Sequence, residues 1–314
     1  MLYCISQTPL PRAVFENALK RFVSVCPNTL ENDMTADFVS RRSLIGGAAA
    51  GLLLPFLPAR AEPLSLAKIK QAGVLNIGCE AAYVPFTYRD NSAAIVGFDV
   101  DAITKYLQPI GVKANFIDTQ WSGVIPALYA GRFDMVPTMS YTKERLERVL
   151  FSIPYADASQ ALLIRSTDKD KIKSIADMSG KTLGIKLGSP GETLKAKLEE
   201  KLKSERGTGF ADIKTYDDHP AAYLALAQGS VDGVLNTIPT LSIVMRDRPG
   251  AFTIVKNVGA NNWHGYAFRK EDQELGNFIN GRISEMKASG ELYALQEKWL
   301  GFKMDLPDKS PTFS

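Results

Sequence analysis

From residue 64 onward the apolar positions fall into short blocks of two alternating periods. Leu66 to Ala72 reads as a short amphipathic helix closed by Gly73, and Val74 to Gly78 as a buried strand. Glu80 to Tyr88 is a loop rich in aromatics, which Pro85 keeps extended, and Arg89 to Ala94 is a turn. Asp99 reads as the N-cap of a helix carrying Val100, Ile103, Leu107 and Ile110 on one face, stopped by Gly111. Val112 to Ile117 is the next strand, Ser122 to Ala130 the next helix, and Phe133 to Val136 a short strand. Thr142 reads as the cap of a helical turn containing Arg145. Further on, strands are expected at 161–164, 181–185, 213–216, 229–235, 252–255 and 265–269. Helices are expected at 175–180, from Thr193 to Leu202, at 220–228, 272–289 and 291–300. Residues 305–314, with two prolines, read as a frayed end. This alternation predicts an α/β fold with a largely parallel sheet.

One segment echoes another. Ala127 to Val136 and Ala225 to Val234 both read as helix end, glycine turn, apolar residue, aspartate, strand. Two such units suggest two lobes with a cleft between them, and in open α/β sheets ligands lie beyond the carboxyl ends of the strands.

The front of the chain differs in kind. Ser40-Arg41-Arg42-Ser43-Leu44-Ile45 precedes an apolar run too short to span a bilayer, and Ala59-Arg60-Ala61 follows as a small-x-small cleavage pattern. The pattern resembles a twin-arginine export signal over 34–61, with Met34 as the expected start and 1–33 as a non-native or disordered extension. The 314 residues carry a net charge of +3; removing 1–61 leaves 31 Lys/Arg against 30 Asp/Glu, a net +1. A near-neutral mature chain argues against nucleic acid as a partner. Cys79 is the one cysteine of three beyond residue 61, so no intrachain disulfide is available there. It reads as a small buried apolar group rather than a nucleophile.

The candidate chemistry centres on Thr138, Ser140 and Arg145. A strand that ends in hydroxyls and runs into a helix start presents free N–H groups and a guanidinium able to grip both oxygens of a carboxylate.

Several pieces then add up in order: Tyr83-x-Pro-Phe86, Gly97-Phe-Asp-Val-Asp101, Trp121 with Ile125-Pro-Ala-Leu128, and Gly131-x-Phe-Asp134. Ser140-x-Thr142-x-x-Arg145, Phe151-Ser-x-x-Tyr155, Gly188-Ser189 and Gly229-x-Val-Asp232 follow. Over 62–303 the chain resembles the extracellular solute-binding proteins of the polar amino-acid ABC importers, bacterial solute-binding family 3. The resemblance implies a two-lobed, type II periplasmic-binding-protein fold. Lobe 1 would be 62–157 plus 257–314 and lobe 2 158–256, with crossings near Asp157–Gln160 and Phe252–Lys256. It implies a periplasmic monomer that needs no cofactor or metal, captures a small amino-acid-like carboxylate and passes it to an inner-membrane permease. Arg145 would bind the α-carboxylate with Ser140 and Thr138, Met139 lying beside them, and Ser189 would serve the same carboxylate. Tyr83, Phe86 and Trp121 would flank the ligand, and Asn236 and Thr237 stand where the family places an aspartate for the α-ammonium. An amide or hydroxyl there accepts a hydrogen bond but supplies no charge. Pro190 also replaces the family's usual threonine. The competing reading is a periplasmic cyclohexadienyl (prephenate/arogenate) dehydratase on the same fold. It would need an acid in the cleft; Glu80 and His264 are the nearby candidates, both read here as structural or solvent-facing.

Overall fold

The computed structural model describes residues 63–311. The expected extension 1–33 and the expected export signal 34–61 lie outside the described residues.

The chain builds two lobes. In the first, Val74–Cys79 pairs in parallel with Lys113–Asp118, and Ile77 bridges to Met135 ahead of the strand Val136–Ser140. Trp263–Phe268 pairs antiparallel with Val136–Ser140, Leu150–Phe151 and Ala156–Asp157. In the second lobe the strand order is Asp212–Tyr216, Thr182–Lys186, Gly233–Thr237, Gln160–Arg165, Phe252–Val255. Only Gln160–Arg165 opposes its neighbours there, as Trp263–Phe268 does in the first lobe. Each lobe thus has parallel strands plus one strand running against them, the strand that enters from the other lobe. Ile69, Leu75, Phe98, Tyr106 and Ile279 belong to the core of the first lobe, and Leu162, Ile185, Leu198 and Leu235 to that of the second.

The echo in the sequence has a physical basis. In the first lobe Asp134 accepts from the backbone N–H of Asn76 (3.0 Å), while its own N–H donates back to Asn76 O (2.8 Å). In the second lobe Asp232 does the same with Thr182, at 2.9 and 2.8 Å. Each aspartate therefore pins the start of a neighbouring parallel strand. Behind it stands an arginine at the end of the opposing strand. Arg269 donates to Leu128 O and Phe133 O and forms ion pairs with Asp134 (3.7 Å) and Asp272 (2.8 Å). Arg165 donates to Leu226 O and Val231 O and pairs with Asp232 (3.0 Å) and Asp168 (2.8 Å). The two fasteners correspond residue for residue.

Several local expectations are corrected. The aromatic loop is a hairpin, Ala82–Tyr83 against Thr87–Arg89, turning at 84–86 through a cis Val84–Pro85 bond. Gly97, not Asp99, caps the helix Phe98–Leu107; a side chain at Gly97 would strike Phe86 O, and its φ of 139° suits only glycine. The strand expected at 133–136 runs instead over Val136–Ser140. The helix expected from Thr193 begins at Pro190 and runs to Arg206, and the helix Ile238–Asp247 was missed. Its start is hidden because Thr237, the last strand residue, is also its cap. Phe252–Val255 is a strand of the second sheet rather than a connector; the chain returns over 256–262. The two passages touch: Ala158 N–H donates to Asn262 O (2.8 Å) and Asn262 N–H to Ser159 Oγ (3.2 Å). The tail is not frayed at 304–310: Met304 and Leu306 are buried, and Lys287 donates to Pro307 O. Cys79 is buried, and burial pushes its thiol up to about 12.

Asp99 is wholly buried rather than exposed as a cap. Burial pushes its carboxyl up to about 8, against hydrogen bonds from Tyr155, Tyr266 and Thr138 that pull it down. The folded protein therefore holds a proton that the unfolded chain releases near pH 4, so stability falls as pH rises from there through 8. Between pH 6.5 and 8 the loss reaches up to about 1.4 kcal/mol per pH unit, the value of one proton fully displaced. Denaturant unfolding at pH 6.5 and 8 is expected to show this slope in the wild type and a flatter one in Asp99→Asn. The fasteners make a second prediction. Arg269→Met strands the fully buried Asp272 and is expected to cost about 3–5 kcal/mol. Arg165→Met, whose partners are partly hydrated, is expected to cost about 1–3 kcal/mol. Denaturation midpoints of the two variants check the order.

Candidate functional site

The carboxyl ends of the parallel strands of both lobes face one cleft. Its walls come from Glu80, Tyr83, Trp121, Thr138, Ser140 and His264 on one side. Gln160, Lys186, Ser189, Pro190, His219, Asn236 and Thr237 line the other. Glu80 follows the strand Val74–Cys79, and Lys186 ends the strand Thr182–Lys186. Each stands four residues beyond the strand residue pinned by its lobe's aspartate, Asn76 or Thr182. They occupy equivalent places in the two halves and meet head-on: the Lys186 ammonium donates to Glu80 Oε2. Both residues are buried. Burial pulls the Lys186 pKa down and the nearby Arg145 cation adds to that, while Glu80 holds it up. Lys186 also lies over the rings of Trp121 (5.0 Å) and Tyr83 (5.3 Å), where the negative ring faces favour a cation.

Arg145 sits at the junction of the lobes. Thr142 caps its helix Lys143–Arg148 by accepting from Arg145 N–H, as expected. The guanidinium donates to Ser140 O (2.9 Å) on one lobe and Gly188 O (2.8 Å) on the other. Trp121 Nε1 donates to the same Gly188 carbonyl (3.2 Å). The residue as a whole is half-buried, but its guanidinium lies deep enough that burial pulls its pKa down to about 10, so it stays charged at neutral pH.

Thr138 adopts a φ of 51°, rare for a β-branched residue, and its N–H donates to Tyr155 Oη (2.7 Å). The pairing with Trp263–Phe268 shifts register nearby, between Gly265 and Ala267. Ser140 Oγ lies 3.3 Å from His264 Nδ1. Ser189 caps the helix Pro190–Arg206 by backbone position alone: its buried hydroxyl has no partner among the described residues. Neither ring nitrogen of His219 has an aligned partner there either. Burial holds His219 well below its usual pKa and His264 down at about 3, the Arg145 and Lys186 cations reinforcing it for His264, so both are neutral.

Of the residues singled out from sequence, Tyr83, Trp121, Thr138, Ser140, Ser189, Asn236 and Thr237 line the cleft, and Arg145 closes its edge. Phe86 and Met139 do not line it. Phe86 lies beneath Tyr83 (ring centroids 5.5 Å apart), packed on Phe98 and His264. Met139 alternates away from Thr138 and Ser140 along their strand and joins the core beside Trp121. Asn236 is largely committed to protein contacts. Its Oδ1 accepts from Tyr83 Oη (3.3 Å) and Thr237 N–H (2.7 Å), and its Nδ2 donates to Tyr223 Oη (2.6 Å). Sequence reasoning passed over Lys186, Gln160 and His219, and set Glu80 and His264 aside as structural or solvent-facing. A charged residue at the carboxyl end of each buried strand was the readable signal for Glu80 and Lys186.

Among the described residues no group of three or more His, Cys, Asp or Glu could hold a metal ion, and no helix is long and apolar enough to cross a membrane.

Comparison with known proteins follows the same geometry. The model of the family "Bacterial extracellular solute-binding proteins, family 3" matches residues 75–302. The L-cystine-binding protein TcyJ of Escherichia coli (strain K12) is 29% identical over 266 residues, covering 84% of this chain and 96% of that one. The crystal structure of the ancestral amino acid-binding protein AncCDT-1, described as a precursor of cyclohexadienyl dehydratase, superposes with a TM-score of 0.66. It is 31% identical and covers 74% of this chain and 98% of that one. An ancestral arginine-binding protein bound to arginine superposes at 0.64 with 34% identity, covering 73% and 99%. With two lobes facing one cleft and a family match spanning most of its length, the chain belongs to the bacterial extracellular solute-binding proteins of family 3.

Proposed function

We propose that this protein is the periplasmic receptor of an amino-acid ABC importer, exported through the twin-arginine pathway by residues 34–61. It works as a monomer that captures an amino-acid-like carboxylate between its lobes and hands it to an inner-membrane permease. The observation that carries the reading is the place of Arg145, whose guanidinium donates to one backbone carbonyl from each lobe. Those carbonyls accept what a ligand carboxylate would accept more strongly, because its full negative charge adds to the attraction and its two oxygens can engage the guanidinium fork together. Ser140 and the unpartnered hydroxyl of Ser189 add donors beside it. The ligand's ammonium, lacking an aspartate at position 237, would meet the neutral oxygen of Thr237. Binding of one ligand by groups from both lobes favours the closed arrangement by whatever affinity the open form lacks.

The relatives and neighbours support an amino acid as ligand: they are named for cystine, arginine and amino acids in general. The dehydratase reading needs a proton donor in the cleft. Of its two candidates, Glu80 is tied to Lys186 and His264 is neutral, so no observation favours it.

The reading is tested by thermal shift and calorimetry on the purified exported protein, with the proteinogenic amino acids, L-cystine and prephenate. At least one amino acid is expected to raise Tm, with no turnover of prephenate. Arg145→Ala is expected to weaken that ligand by about 100-fold while leaving the ligand-free Tm within a few degrees. Unchanged affinity would remove Arg145 from the carboxylate site.

A further inference from the structure

We infer that Glu80 and Lys186 form a second charge-recognition subsite, built for a ligand whose far end carries both an ammonium and a carboxylate. The inference rests on the proposal that Arg145 holds the ligand's first carboxylate, and it names the class of ligand that fits.

Among the described residues, Lys186 and Glu80 are the formal charges lining the cleft and Arg145 stands at its edge, His219 and His264 being neutral. Lys186 and Glu80 neutralise each other across the lobe boundary. Lys186 is 3% exposed and Glu80 9%, so neither can rely on water to replace a lost partner. This makes the pair selective. A far end with one positive charge, such as a guanidinium, would share Glu80 with Lys186, leaving two buried cations against one carboxylate. A far end with one negative charge would share Lys186 with Glu80, leaving two buried carboxylates against one ammonium. A buried charge robbed of its partner is far more costly than the pair was favourable. A far end bearing both charges avoids the problem. Its carboxylate takes Lys186, its ammonium takes Glu80, and the pair and the far end balance charge for charge. Lys186 Nζ makes one hydrogen bond among the described residues, to Glu80. Two of its three donors are therefore left for such a carboxylate. The rings of Tyr83 and Trp121 flank the ammonium. The His219 ring, stacked 5.7 Å from Tyr83, belongs to the same wall.

The position of the pair within the fold supports a ligand-facing role over a structural one. Its two residues stand at equivalent places at the ligand ends of equivalent strands, whereas the fasteners that stabilise each lobe lie at the opposite ends.

The test is calorimetric titration of the full exported protein with four probes that share an α-carboxylate and differ at the far end. L-Cystine brings an ammonium and a carboxylate, L-arginine a cation, L-glutamate an anion and L-glutamine a neutral amide. Wild type is expected to bind cystine at least ten times more tightly than any of the other three. Lys186→Met is expected to weaken cystine at least tenfold and to strengthen arginine, for which Glu80 is now free. Glu80→Gln is expected to weaken cystine and strengthen glutamate. The double variant K186M/E80Q leaves no unpaired charge to endanger folding and is expected to lose the preference for cystine while still binding glutamine. Arginine, glutamate or glutamine binding to wild type as tightly as cystine would overturn the inference. So would variants that shift all four probes by one common factor, which is the behaviour of a strut between lobes. Charge-blind binding that Arg145→Ala abolishes would sink this inference and keep the receptor. Failure of every amino acid to bind wild type would sink both.

Discussion

Arg145, Lys186 and Glu80 bring their charges together where two sheets meet, and the closed form must partner each of them without a ligand. A buried cation or anion left alone costs several kcal/mol even after relaxation, so the empty cleft cannot shut over bare charges. This protein meets the constraint with its own atoms. Lys186 faces Glu80, and Arg145 turns to the carbonyls of Ser140 and Gly188. The lobes are thereby joined by the groups that would grip a guest. The ligand competes with these contacts, so its affinity is the difference between two sets of bonds.

The remainder of the architecture serves to bring those charges together. The opposing strands Gln160–Arg165 and Trp263–Phe268 carry the chain between lobes. The passages leading into them are bonded to each other through Ala158, Ser159 and Asn262. Beneath the cleft, Tyr155 stacks 4.0 Å from Tyr266 and 6.0 Å from Phe98. It also supports Thr138 in its unusual backbone conformation through the N–H to Oη bond. The geometry of the anion site is thus set from below by aromatic packing, with the protonated Asp99 sealed beneath.

Much of this could be read from residues alone, for identifiable reasons. Period-two blocks such as Val74–Cys79 and glycine-bounded helices such as Glu291–Leu300 fell within a residue or so of their observed limits, because one local signal fixed each. The missed helix, Ile238–Asp247, opens directly out of a strand, with a proline in its first turn and no polar stretch to announce it. Asp99 misled because an aspartate beside a helix start normally caps it; tertiary packing overrode that preference and buried the carboxyl. Within the cleft, residues on motif positions were legible: Tyr83, Trp121, Ser140 and Ser189 all face it. Phe86 and Met139 were not separable from them, since orientation depends on a turn and on a register that shifts next to Thr138. Glu80 and Lys186 were hidden for another reason. Their meaning depends on facing one another, and they lie 106 positions apart along the chain.

The paired arginine–aspartate fasteners have a consequence for how such a molecule can diverge. Each lobe is locked at the trailing edge of its strands, by Arg269 with Asp134 and Asp272 in one and Arg165 with Asp232 and Asp168 in the other. The leading edge, where Glu80 and Lys186 stand, carries none of that burden. Replacements there that keep the buried charges balanced can explore new chemistry while the frame behind them holds its shape, and two copies of one frame supply two surfaces on which to do so.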